Sequence, residues 1–169
     1  ITTETGSESV FTGNNSIGIN EFAERFANES VVYAEGISLG VGKIVAASSQ
    51  SFATIRLYSG QDRPLYLLSE THVNLRKLAK SAMNYIPFDE AVQIEGSFFV
   101  SVVVPENGDT LQIFQSQPRD NSVPNTLYFK QNSDWKPASD FFSGTSNSVS
   151  LLMHVLFCGD ILSSDIDTL

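Results

Sequence analysis

The strongest constraint in this sequence is a two-residue rhythm of apolar and polar side chains. Successive side chains of a β-strand point to opposite faces, so this rhythm reads as strands with one face buried. Residues 52–58 (FATIRLY) set Ala53, Ile55 and Leu57 against Thr54, Arg56 and Tyr58. Ile37, Leu39 and Val41 alternate in the same way with Ser38, Gly40 and Gly42, and the chain then runs into Lys43, Ile44 and Val45. Gly40 and Gly42 fall on one face, where missing side chains let another backbone or a bulky ring come close. The strongest β segment is 98–104 (FFVSVVV), closed by Pro105 and the turn residues Asn107, Gly108 and Asp109.

Similar patterning recurs at 84–88, 91–94, 111–115, 126–130 and 149–157, with turn residues between the segments. Residues 19–27 (INEFAERFA) fit a turn or two of helix, and equally a strand with Phe22, Glu24 and Phe26 on one face. Residues 73–82 (VNLRKLAKSA) place Leu75, Leu78, Ala79 and Ala82 together and leave Arg76, Lys77 and Lys80 to solvent. That spacing predicts one or two helical turns inside a connection. Strands do not alternate with helices, which argues against a parallel sheet. The expected fold is all-β: an antiparallel β-sandwich of jelly-roll type with roughly eight or nine strands and one short helical segment near 73–82.

A chain of 169 residues supports one hydrophobic core. The expected organisation is an extended lead-in at 1–16, a single sandwich at 17–158 and a polar exit linker at 159–169. Both ends read as cut from a longer polypeptide. The longest apolar runs, 98–104 and 151–157, have seven residues each, against about 20 for a membrane-spanning helix. No membrane insertion is expected. Ten Lys and Arg against nineteen Asp and Glu give a net charge of -9, which repels phosphate backbones and excludes nucleic acid as a partner.

The residues available for catalysis are few: His72, His154 and Cys158 are the only His and Cys. His154 and Cys158, four apart on a strand, stand roughly 13 Å from each other, beyond the reach of a thiolate–imidazole pair. Cys158 is expected to be a small core side chain. Gly40-Val41-Gly42-Lys43 lacks the spacing, the hydroxyl and the strand-to-helix context of a phosphate loop. Asp and Asn gather at Asn107, Asp109, Asp120, Asn121, Asp134 and Asp140, but without calcium-loop spacing. Turn propensity accounts for them, so no cofactor is expected, and a structural calcium stays an open alternative with no specific ligand pattern behind it. Trp135 and Phe141, flanked by Asp134 and Asp140, lie in a loop-rich stretch at 132–147. A ring beside carboxylates can stack on a sugar and bind its hydroxyls, which makes these four the candidate ligand-binding residues. The competing expectation is that Trp135 closes one end of the sandwich as a lid on the core.

The order of segments resembles a family. Thr12-Gly13-Asn14-Asn15-Ser16-Ile17-Gly18 with Phe22 and Phe26 looks like its Gly-x-Asn-x-x-Gly opening and Phe-bearing first strand. Residues 36–41 look like its glycine-led alternating strand, and Ile55, Tyr58, Asp62-Arg63-Pro64 and Leu67 like its strand–turn–Pro–x–Leu stretch. Asn84-Tyr85-Ile86-Pro87-Phe88-Asp89 and 92–100 are the nearest match, and Asp134-Trp135-Lys136-Pro137 with Ser150-Leu151 resembles the family's finish. The family is the β-sandwich accessory domains of multi-domain proteins exported by the type IX secretion system, often beside a peptidase or adhesin and before a C-terminal sorting domain. The segment at 73–82 departs from that pattern. The resemblance implies a secreted or cell-surface, non-catalytic module with no catalytic residues of its own.

These readings predict an accessory or binding module of a larger secreted protein. It either packs on a neighbouring domain, a peptidase being one candidate, or holds a ligand. The ligand alternatives are a glycan, as in a carbohydrate-binding or adhesin module, and a host protein. The rival from another class is a stand-alone hydrolase using His72 or His154.

Overall fold

The computed structural model describes residues 11–105, 108–141 and 148–158. Among them eleven strands form two antiparallel sheets. The five-stranded sheet holds β1 (Phe11–Gly13), β3 (Val31–Val45), β6 (Ala82–Glu95), β8 (Thr110–Phe114) and β11 (Met153–Phe157). Strand β3 is its spine. One edge pairs with β6 along its length, while the other is shared between β11 and β8, with β1 outside β8. The six-stranded sheet runs in the order β10 (Asp134–Pro137), β9 (Leu127–Gln131), β2 (Ile19–Phe26), β7 (Phe98–Val103), β4 (Phe52–Ser59) and β5 (Tyr66–Asn74). Neighbours in both sheets are often distant in sequence, so the sheets depend on each other for their order. The all-β sandwich expected from the alternation is what forms. Among the described residues no helix is long and apolar enough to cross a membrane.

The core lies between the sheets. Ile37, Leu39, Leu111 and Ile113 from one sheet meet Phe22, Ile55, Val100 and Val102 from the other, all buried. Phe98 spans the layers: it stacks on Phe26 of its own sheet at 5.2 Å and meets Phe157 of the opposite sheet edge-on at 6.2 Å. The turn from β6 to β7 carries the chain from one sheet to the other through Gly96, at φ 76°. Only glycine holds that left-handed conformation without strain.

Three segments differ from expectation. The helical segment at 73–82 contracts to a single 3-10 turn, Leu75–Lys77. Asn84 is the reason. Its side chain binds both the N–H and the carbonyl of Ala79, at 2.7 and 2.8 Å, occupying the groups a longer helix needs. The lead-in contributes β1, and the loop-rich stretch contributes β10, so the strand count rises above nine. Strand β10 is reached by a two-residue hairpin turn in which Asn132 and Ser133 both have positive φ, at 51° and 70°. That is type I′ geometry without the usual glycine signal. Residues 142–147 of that stretch, 1–10 of the lead-in and the exit linker lie outside the described residues. The glycines of β3 behave as the alternation implies: a Cβ at Gly40 would meet the Leu152 side chain, and one at Gly42 would overlap the Phe11 ring.

Phe98→Ala leaves a cavity touched by both sheets. It should cost about 3–5 kcal/mol, read as a lower urea midpoint at unchanged slope.

Candidate functional site

Strand β7 is buried on both faces, which an open sandwich surface does not explain. The cause is a second layer of side chains on the outer face of the six-stranded sheet. On β2 the alternation sends Phe22, Glu24 and Phe26 inward, and Glu21, Ala23 and Arg25 outward. Glu21 is nonetheless only 2% exposed. Its Oε1 accepts from the Tyr58 hydroxyl at 2.9 Å and from Ser101 Oγ at 2.7 Å. Its Oε2 accepts from Arg56 Nη1 and Lys130 Nζ, both at 3.2 Å. A buried carboxylate needs such partners, because desolvation without them costs more than the fold can offset.

The network continues in both directions. Lys130 Nζ also lies 5.4 Å from the centre of the Trp135 ring, a cation–π contact. Arg56 Nε donates to Glu70 Oε2 at 2.7 Å, Glu70 Oε1 is 3.3 Å from His72 Nε2, and His72 Nδ1 is 3.0 Å from Thr54 Oγ1. One connected chain of polar contacts therefore crosses all six strands, from Thr54 and His72 to Trp135. Burial and the Glu21 charge push the Tyr58 phenol up to about 12, so it stays a donor at neutral pH. Burial pulls the Arg56 guanidinium down, but Glu70 and Glu21 outweigh it and the net shift is upward.

Trp135 completes a small apolar cluster of Ala23, Tyr58, Phe99 and Tyr128 on this same face. Four strand spacings, roughly 19 Å, separate β10 from β4, yet the Trp135 and Tyr58 rings are 6.0 Å apart. The two side chains lean toward each other over Ala23 and Phe99, both fully buried. Trp135 is thus a lid, but on the outer face of one sheet rather than on the end of the sandwich.

The four candidate ligand-binding residues do not converge. Trp135 points outward and Asp134 is exposed at the start of β10. Phe141 belongs to the 3-10 turn Ala138–Phe141 and packs edge-on against Phe129 at 5.2 Å, on the core side of the sheet. Asp140 is exposed beside it. His72 and Cys158 lie on different sheets, and Cys158 is exposed, correcting its expected place in the core. It ends β11 at the surface, and its hydrogen bond to Glu35 raises the thiol pKa, so the thiolate is disfavoured. Among the described residues no three His, Cys, Asp or Glu side chains gather to hold a metal ion.

A second polar cluster sits inside the sandwich. Glu24 Oε2 accepts from the Leu151 N–H at 2.8 Å, with the Thr126 hydroxyl bonded to the same carboxyl and Arg119 nearby. Thr126 and Arg119 both contact Ser150 Oγ, tying the segment before β11 to the one before β9. Just outside, a polar cavity of about 250 Å3 is lined by Asn121, Val123, Asn125, Ser139 and Ser148. The Glu24 carboxylate had a signal in the sequence, since it shares a face with Phe22 and Phe26. Glu21, Ser101 and Lys130 had none, because their partners are brought together only by the sheet order.

Comparison with protein families, with curated proteins and with solved structures finds no match for this chain.

Burial raises the Glu24 carboxyl from 4.5 to about 7, against the opposing pull of Thr126, Leu151 and Arg119. The native state then holds a proton that the unfolded chain releases near pH 4.5. The stabilisation is full below that pH and is lost as pH rises through about 7. Its size is about 3 kcal/mol by linkage. Melting curves should show wild type falling relative to Glu24→Gln between pH 5 and pH 8. Parallel pH profiles would refute the assignment.

Proposed function

We propose that this chain is a non-catalytic accessory module of a larger secreted or cell-surface protein, docking on a protein neighbour through the start of β5. The supporting observation is four consecutive exposed apolar side chains: Leu65 at 57%, Tyr66 at 67%, Leu67 at 53% and Leu68 at 41%. Among the described residues strand β5 is the edge of its sheet, paired only with β4. The register slips where Leu57 and Tyr58 face Ser69 and Leu67, leaving Leu68 as an extra residue. Natural edges are guarded by charge, Pro or a bulge. Here the bulge is present, but residues 65–69 carry no charge. Consecutive exposed apolar side chains on an edge strand suit strand or side-chain docking by another protein.

The geometry around His72 supports a non-catalytic reading. Thr54, His72 and Glu70 form a hydroxyl–imidazole–carboxylate row, but β4 pairs on both sides with β5 and β7. Its backbone N–H groups are committed to those ladders, which leaves none to receive a developing oxyanion at Thr54. Glu70 is shared with Arg56.

In the longer polypeptide, amides of residues 65–69 should exchange with deuterium at least roughly ten-fold more slowly than in the isolated chain. Equal exchange in both would remove this reading.

A second reading, binding of a glycan, is favoured by the half-buried Trp135 and Tyr128 rings beside Lys130 on the outer face of the six-stranded sheet. A sugar present at 100 times its dissociation constant adds about 2.7 kcal/mol. A thermal-shift panel of glycans should then give a shift that Trp135→Ala abolishes, and a silent panel eliminates the idea.

A further inference from the structure

The connection from β5 to β6 is a basic stretch in an acidic chain. Residues 71–88 carry Arg76, Lys77 and Lys80 and no Asp or Glu, a charge of +3 with His72 neutral. The whole chain carries -9, so the rest of it carries -12. Arg76, Lys77 and Lys80 are all exposed. Among the described residues none of the three is in an ion pair, whereas Arg56 and Lys130 are both committed to Glu21.

The backbone that carries these cations is fixed at many points. Leu75 is fully buried and Leu78 packs against the core, so the cations between and beyond them are left to solvent. Asn74 caps the 3-10 turn: its Oδ1 accepts from the Arg76 N–H at 2.9 Å, and its Nδ2 donates to the Ser49 carbonyl at 2.8 Å. The Leu75 N–H donates to the Ser51 carbonyl at 2.9 Å. Past the turn, Asn84 clamps Ala79, and the Ser81 N–H donates to the Gly42 carbonyl at 3.2 Å. Ser81 is held at φ 55°, a left-handed conformation that a serine enters only at a cost. Side chains on a backbone fixed in this way lose less freedom on binding than they would on a loose loop.

We propose that this connection is a docking surface for an acidic segment of a partner protein, whose Asp and Glu side chains lie across Arg76, Lys77 and Lys80. It does not rest on docking at the start of β5, since Leu68 and Asn74 are six residues apart on that strand, roughly 20 Å at about 3.3 Å per residue. Charge complementarity decides the kind of partner. Unpaired cations on an otherwise acidic molecule draw an anionic partner to one place and repel it elsewhere. Arg76 adds a planar fork that matches a carboxylate. The surroundings decide the partner's shape. Glu70 precedes the basic stretch on β5, and Asp89 and Glu90 follow it on β6. Asp109 accepts from the Ala47 N–H and Ser51 Oγ on the turn that Asn74 and Leu75 contact. A flat anionic membrane that reached the three cations would bring these carboxylates toward its own charge. A narrow extended segment meets the cations and avoids them.

The test is fluorescence anisotropy of a labelled oligoglutamate peptide titrated with the full 169-residue chain at low and at physiological salt. The expected result is saturable binding at low salt that weakens at least about ten-fold at physiological salt, where charges are screened within about 8 Å. Lys77→Glu and Lys80→Glu should each weaken the low-salt binding at least about five-fold. Their thermal melts show whether each variant is folded. Lys136→Glu makes the same change in net charge at an exposed position of β10, and should leave the affinity within about two-fold. A peptide that does not bind at low salt overturns the inference. So does equal weakening by Lys136→Glu, which would make the effect one of net charge alone. Vesicles of phosphatidylserine and phosphatidylcholine are the second probe: chain bound to them but not to the peptide would assign the surface to a membrane instead.

Discussion

The six-stranded sheet is organised by the cost of burying one carboxylate. Glu21 sits on a face that would ordinarily be open to water, yet it is almost fully enclosed. It is tolerable there because each oxygen receives two donors. Those donors are then no longer free to wander. Arg56 and Lys130 lose rotamer freedom, Tyr58 is held as a neutral phenol, and Trp135 gains a cation to lie against. Phe99 and Ala23 are buried beneath this cover, which is why β7 reads as apolar on both faces.

Glu24, three residues along the same strand, shows the opposite solution. It faces the core, where the Leu151 N–H and the Thr126 hydroxyl donate to it and Arg119 is nearby, with no ion-pair contact among the described residues. Burial wins there, and the carboxyl keeps its proton up to about neutral pH. Two glutamates on one strand thus take different protonation behaviour from the side of the sheet they face. The two glutamates of β2 find their partners within the sandwich, whereas the start of β5 leaves apolar side chains exposed. That distribution is the physical basis for reading the chain as a module that meets other protein surfaces.

Much of the fold was legible in particular residues. Ala53, Ile55 and Leu57 enter the core as their alternation requires, and the glycines of β3 do admit neighbouring side chains. Glu24 was visible as a carboxylate on an apolar face. The helix expected over 73–82 does not form because Asn84, beyond its end, competes for the backbone of Ala79. Strand β10 has no glycine signal in the sequence because its turn is made by Asn132 and Ser133 in positive φ. The place of Cys158 is not legible because a flanking apolar run does not say where a strand leaves its sheet. The Glu21 network was beyond reach, since its members are between 35 and 109 residues away from Glu21.

By itself, then, the sequence determined the strand periodicity, the all-β class, the acidic surface and the scarcity of catalytic side chains. These follow from local backbone geometry and from composition, neither of which depends on what is packed where. The tertiary structure decided which strands are neighbours, and hence that Trp135 covers a sheet face while Phe141 joins the core. It also decided that the side chains of residues 65–68 are exposed. Hydrophobicity and alternation specify that a face is buried against something. Only the order of strands in the sheets specifies against what, because that order is set by contacts between residues far apart in the chain.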